Sequence, residues 1–117
     1  SPGSFDIVAC FDLIHDLPDP DLGLEVIQKS MKQGGLSLLM DIEAEDDLVD
    51  YNDPFGMFKL GISLHFCMTT SMWQGGQGLG TVGLSETLLR DLCQKAGFSN
   101  VIKLDIQHPL NSLYLIE

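Results

Sequence analysis

A chain of 117 residues, 44% of them hydrophobic, has room for one small domain with a core and is too apolar for a disordered segment. Its formal net charge of -11 argues against a nucleic-acid or anionic-membrane surface, because both need Lys and Arg to meet phosphate. Cys10, Cys67 and Cys93 are widely spaced and form no CxxC, which fits reduced thiols in a cytoplasmic protein better than a disulfide framework or a zinc motif. Ser1-Pro2-Gly3-Ser4 reads as a cloning remnant, so the domain is taken as residues 5–117. No signal peptide is visible, and the apolar run Met57 to Trp73 is too short to span a bilayer.

Ile7 to Phe11 is almost wholly apolar, as is Leu36 to Ile42, and both suit strands buried on two faces of a parallel sheet. Between them Asp19 can cap a helix that has Pro20 at its first position and Asp21 near its positive end. Leu24, Ile27 and Met31 form its apolar stripe, and Gly34-Gly35 is expected to stop it. The unit is a strand-helix-strand crossover. Residues 41–53 are rich in acid and read most simply as a solvated loop, opening an inserted, lid-like segment over 48–84. Ser85 caps a second helix with Leu88, Leu89, Leu92, Cys93 and Ala96 inward, closed by Gly97. Val101 to Ile106 alternates, with Ile102, Leu104 and Ile106 on one face, and Ser112 to Ile116 follows closely as its antiparallel neighbour. The expected architecture is a mixed α/β sheet, parallel at one side and ending in an antiparallel pair.

Ligands of open α/β sheets bind beyond the carboxyl ends of the strands. Asp12 and His15 lie just past one such end, and Asp41 and Glu43 stand at another, so both groups are expected at one crevice. The simpler alternative is that Asp16 and Asp19 terminate and cap, with His15 on a surface loop.

"FDIVACFDLIHDLPDP", "VIQKSMKQGGLSLLMDIE" and "LLRDLCQKAGFSNV" occur in this order. Together they resemble the C-terminal half of a class I S-adenosylmethionine-dependent methyltransferase, a Rossmann-like fold. The first resembles the fourth strand and its loop, and the second resembles the next helix and a KPGG turn, with Gln33 in place of proline. The third resembles the last helix and its AGF exit. The D-x-x-H-D form at Asp12 to Asp16 is similar to a small-molecule subgroup with an N-terminal winged-helix domain. The resemblance implies S-adenosylmethionine as cofactor, bordered by Cys10, Phe11 and Asp12, and His15 as proton acceptor near the transferred methyl. A His with an ordinary pKa near 6.5 suits that task for a phenol or carboxyl-type acceptor. It also implies a small, largely apolar acceptor lined by Glu43, Phe58, Ile62 and His65. The family's glycine-rich cofactor loop and ribose-binding acid belong to the other half, so this chain alone is expected to be inactive. Its Ile7–Phe11 edge is expected to pair with that half or with a second copy.

Two readings compete. "GQGLGT", Gly76 to Thr81, copies a dinucleotide-binding pattern, with SLHFCMTT as the preceding strand and Asp105 as the ribose acid. Against it, Val82, Gly83 and Leu84 separate the glycines from the helix cap at Ser85, whereas phosphate binding needs the helix to open on the glycines. The other alternative is a non-catalytic interaction module. Met57 to Trp73, apolar all round, serves equally as core, as acceptor wall or as partner surface.

Overall fold

The computed structural model describes residues 2–117. Strands β1 (Phe5–Phe11), β2 (Met31–Ile42), β3 (Val101–Leu104) and β4 (Asn111–Ile116) form one sheet in the order β1-β2-β4-β3. β1 runs parallel to β2, and β4 is antiparallel to both β2 and β3. The mixed sheet with its terminal antiparallel pair is therefore present as expected. The residue pairs that matter for the site are Phe11 with Met40 and Asp41 with Ser112. They bring the carboxyl ends of β1 and β2 to the start of β4.

Helix α1 (Pro20–Ser30) begins as expected, with Asp19 accepting a hydrogen bond from the Leu22 N–H at 2.9 Å. It ends earlier than the Gly-Gly pair suggests. Met31 is already extended and pairs with Phe5, and the next pair is Ile7 with Leu36. The extra residues of β2 form a bulge, and Gly34, at φ 78°, turns the chain within it. The glycines thus serve the strand rather than the helix, because sheet pairing claims Met31 first.

Helix α2 (Pro54–Ile62) continues through a π-helical turn, Ser63–Cys67, into α3 (Met68–Trp73). Its burial is the reverse of an ordinary amphipathic helix. Gly56, Ser63, Cys67 and Ser71 face inward, while Phe58, Leu64, Phe66 and Trp73 are exposed, Trp73 at 88%. Small residues at this spacing let the helix backbone lie close to its neighbours. The large apolar side chains are left on the outer surface. No strand leads into Gly76, because SLHFCMTT is helical, and this overturns the dinucleotide reading. The Gly76–Thr81 glycines have a steric purpose instead: a Cβ at Gly76 would lie 2.3 Å from Pro18 Cα.

Helix α4 (Glu86–Ala96) opens on Ser85, whose hydroxyl accepts from the Leu88 N–H, and closes on Gly97 at φ 97°. Helices α1 and α4 cover one face of the sheet. Leu24, Leu39, Leu89, Leu92, Cys93, Tyr114 and Ile116 fill the space between. Each such side chain contributes about 1.5–3 kcal/mol on leaving water. On the other face Ile7 is 65% and Phe11 57% exposed, so β1 is not buried on both faces. β3 stops at Leu104, and its core residue is Val101, with Ile102 turned outward. The expectation of burial on two faces therefore fails for β1, because its outer face is left uncovered among the described residues. Among the described residues no helix is long and apolar enough to cross a membrane.

Candidate functional site

β1 ends at Phe11, and Asp12 then adopts φ 46°, the one positive value at a described non-glycine residue. Aspartate tolerates this left-handed region better than most residues, at a cost that active sites commonly carry. Its N–H donates to Met40 O at 2.8 Å, and its carboxylate accepts from Asn111 Nδ2. The kink redirects the chain into a 3-10 turn, Ile14–Asp16, which places Ile14 in the core and His15 beneath the surface.

Asp41 is the organising group. It sits on the inward face of β2, two residues beyond Leu39, and is only 2% exposed. Its Oδ2 accepts from the backbone N–H of Ile14 at 3.1 Å and of His15 at 3.4 Å. Its Oδ1 accepts from the Ile42 N–H at 2.8 Å and from His15 Nδ1. A carboxylate this deep is stable only when its lone pairs are filled, and the turn after β1 fills them. His15, 3% exposed, is thereby held with Nε2 turned toward Asp16 Oδ1 at 3.3 Å.

Burial on its own would push the His15 pKa down. The Asp41 hydrogen bond and the charges of Asp41, Asp16 and Asp12 outweigh it, and the pKa is raised above 6.5. A raised folded-state value gives stability that is full below pH 6.5 and is lost as pH climbs through the folded pKa. The urea midpoint, measured in chelating buffer, is expected to fall across that interval. In His15→Gln the fall should flatten; an unchanged slope would locate the titration elsewhere.

The residues expected at one crevice divide. Asp12, His15 and Asp41 converge, and Asp16 joins them. Glu43 instead accepts from Lys103 Nζ at 2.8 Å, which lowers its pKa, and it lines a separate cleft of about 370 Å³ with Lys103, Asp105, His108 and Asn111. Asn111 borders both regions through its bond to Asp12. Cys10 points to the helix-covered side and lines an apolar hollow with Leu13, Leu17, Leu22 and Val26, whereas Phe11 is on the open face. Phe58, Ile62 and His65 lie on the exposed side of the α2–α3 helix. The residue of that helix that reaches the His15 cluster is Cys67. His15 Nε2 or Nδ1, Asp16 Oδ1 and Cys67 Sγ lie within 4.8 Å of one another. Thr81 donates its hydroxyl to Cys67 Sγ at 3.0 Å.

Sequence reasoning did not place Cys67, Thr81 or Asn111 at the site, and nothing in their spacing marks them. Asp41 did leave a signal: an acid in register with Ser37 and Leu39 on the core face of an alternating strand.

No protein-family model and no curated protein matches the chain. Solved structures do. PigF with SAH superposes at a TM-score of 0.72, with 23% identity over 100% of this chain and 31% of its own. An O-methyltransferase family protein from Burkholderia thailandensis gives 0.66, with 19% identity over 98% of this chain and 30% of its own. The DszA carbon methyltransferase gives 0.66, with 16% identity over 99% of this chain and 29% of its own. The fold matches the C-terminal part of a class I methyltransferase fold. The chain spans about a third of the length of the methyltransferases it matches. In this methyltransferase fold the Asp12 kink and the Asp41–His15 pair stand where open α/β sheets receive ligands, outside the carboxyl ends of β1 and β2.

Proposed function

We propose that the parent protein transfers a methyl group from S-adenosylmethionine to a small, largely apolar acceptor. The observation that carries the reading is the strained Asp12 at the end of β1, braced by Asn111 and followed by a histidine that Asp41 holds in one orientation. Strain kept at a strand end of a ligand-binding fold points to a group positioned for a ligand. PigF, which has this fold, is a structure with SAH, and that supports the cofactor. Methyl transfer is an in-line displacement that leaves a proton to be removed from a phenolic or carboxylic acceptor. His15 is the group assigned to it, with Asp41 fixing the ring tautomer and Asp16 beside the other nitrogen. Cys10, Phe11 and Asp12 border the cofactor, Cys10 from a buried position on β1. Glu43 contributes through its cleft, and Phe58, Ile62 and His65 through the exposed face of the α2–α3 helix, where a further part of the protein closes the acceptor site.

The unpaired edge of β1, with Ile7 and Phe11 exposed, is the surface on which further polypeptide docks: the rest of the methyltransferase or a second copy of this chain. The same exposed apolar surfaces favour the second reading, an interaction module of methyltransferase descent.

Amide spectra of the chain titrated with S-adenosylhomocysteine test both points. Shifts confined to residues around Cys10–Asp12, with millimolar affinity, are the expected result. A micromolar constant would refute weak cofactor binding by the isolated chain, and in the full-length protein the absence of any S-adenosylmethionine binding would leave the interaction module. Concentration-dependent broadening along Ile7–Phe11 is expected in the same spectra; sharp, protected amides there would refute docking.

A further inference from the structure

Methyl transfer gives no chemical step to two groups beside His15, the Asp16 carboxylate, whose side chain is 40% exposed, and the buried Cys67 thiol. Asp16 Oδ1 is enclosed and has no hydrogen-bond partner among the described residues, although His15 Nε2 lies 3.3 Å from it. A buried acceptor with no donor requires a reason. Cys67 is brought to the same point from a distant part of the chain by the π-helical turn, and Thr81, itself buried, donates to its sulfur.

We infer that His15 Nε2, Asp16 Oδ1 and Cys67 Sγ form a three-ligand site for a zinc-class divalent cation.

The donor set of imidazole, carboxylate and thiolate is one that zinc and cobalt accept, with a fourth position open to water. The outer contacts are those such a site needs. Asp41 accepts from His15 Nδ1, which keeps Nε2 as the lone-pair nitrogen and aims it, as carboxylates do behind metal-bound histidines. The donor atoms span up to 4.8 Å, against roughly 3.5 Å between neighbours in a tetrahedral zinc shell. The His15–Asp16 distance already meets that value, so Cys67 alone has to close, by a side-chain adjustment. On binding, the thiol proton leaves to water and the sulfur takes the ion. No cysteine-pair motif announces this site. Two ligands adjoin in sequence at 15 and 16, and the third arrives only through the packing of the α2–α3 helix against the turn after β1.

The site stands without any methyl transfer. In a methyl-transferring parent, the ion and the acceptor's proton compete for His15 Nε2, so the cation would hold the enzyme at rest.

The test is a titration of the 117-residue protein with cobalt(II), followed by absorption. One equivalent should bind with the intense visible bands of a four-coordinate ion and a near-ultraviolet thiolate-to-cobalt band, and zinc should displace it. Cys67→Ala should abolish the thiolate band, and Asp16→Asn should retain it while weakening affinity about tenfold. If Cys67→Ala does not fold, the wild type still decides: zinc should protect Cys67 from alkylation, with Cys10 and Cys93 as internal references. The proposal is overturned if no thiolate band appears, if the band survives Cys67→Ala, or if zinc leaves Cys67 alkylation unchanged. None of these outcomes bears on S-adenosylhomocysteine contact at Cys10–Asp12, so the two readings fail separately.

Discussion

Asp41→Ala is expected to cost about 3–5 kcal/mol of folding stability, the scale seen when one partner of a buried charged pair is removed. The loss follows from what the carboxylate does. It accepts from Ile14 N, His15 N, His15 Nδ1 and Ile42 N, so its removal leaves buried donors without partners and frees the turn after β1. Ile14 is fully buried in the core and belongs to that turn, so loosening the turn also loosens packing against Leu24 and Leu39. Equilibrium urea denaturation measures the effect. Domains of this size are stable by 5–15 kcal/mol, so the variant should be largely destabilised and could populate unfolded chain without denaturant. Asp41→Asn keeps the shape and an acceptor, and should lose less. If Asp41→Ala unfolds with a change under 1 kcal/mol, the turn is held by other contacts and the site has no built-in geometry.

The second large effect concerns rate. In the parent protein, His15→Ala is expected to lower turnover about 10²–10⁴-fold, the range for a positioned proton acceptor. Affinity for S-adenosylmethionine should change little, because His15 is buried whereas Phe11 and Asp12, the residues assigned to the cofactor, are exposed. Asp12→Ala should do the reverse, weakening the cofactor first, since it removes the carboxylate that Asn111 braces. Steady-state kinetics with a direct cofactor-binding measurement separate the two. Unchanged turnover in His15→Ala would assign the ring to structure and leave catalysis to positioning alone.

Much of the scaffold was legible because it depends on local rules. Asp19 and Ser85 cap helices, Gly97 ends one, and the apolar runs at Ile7–Phe11, Leu36–Ile42 and Ser112–Ile116 form strands, as side-chain chemistry and periodicity alone require. The order of these elements also carried the resemblance to a methyltransferase half, which the solved structures match in fold. Local rules failed where two claims met on one residue. Met31 fits the helix stripe, yet pairing with Phe5 takes it into the sheet. Ile102 and Leu104 look like a core face, but a strand pattern cannot say which side a helix will cover, and here Val101 faces inward. Gly76–Thr81 copies a phosphate loop, and only the helix before it shows that the glycines serve close packing. The site itself was decided by tertiary structure. The sequence placed Asp12 and His15 at a strand end and Asp41 at the next, which the crossover brings together. It could not separate Glu43 from them, because Lys103 draws Glu43 away from a distance of 60 residues. Nor could it join Cys67 to His15 and Asp16, since that meeting depends on an inverted helix that turns its small residues inward. Such contacts follow from how whole elements pack, and no periodicity along the chain encodes them.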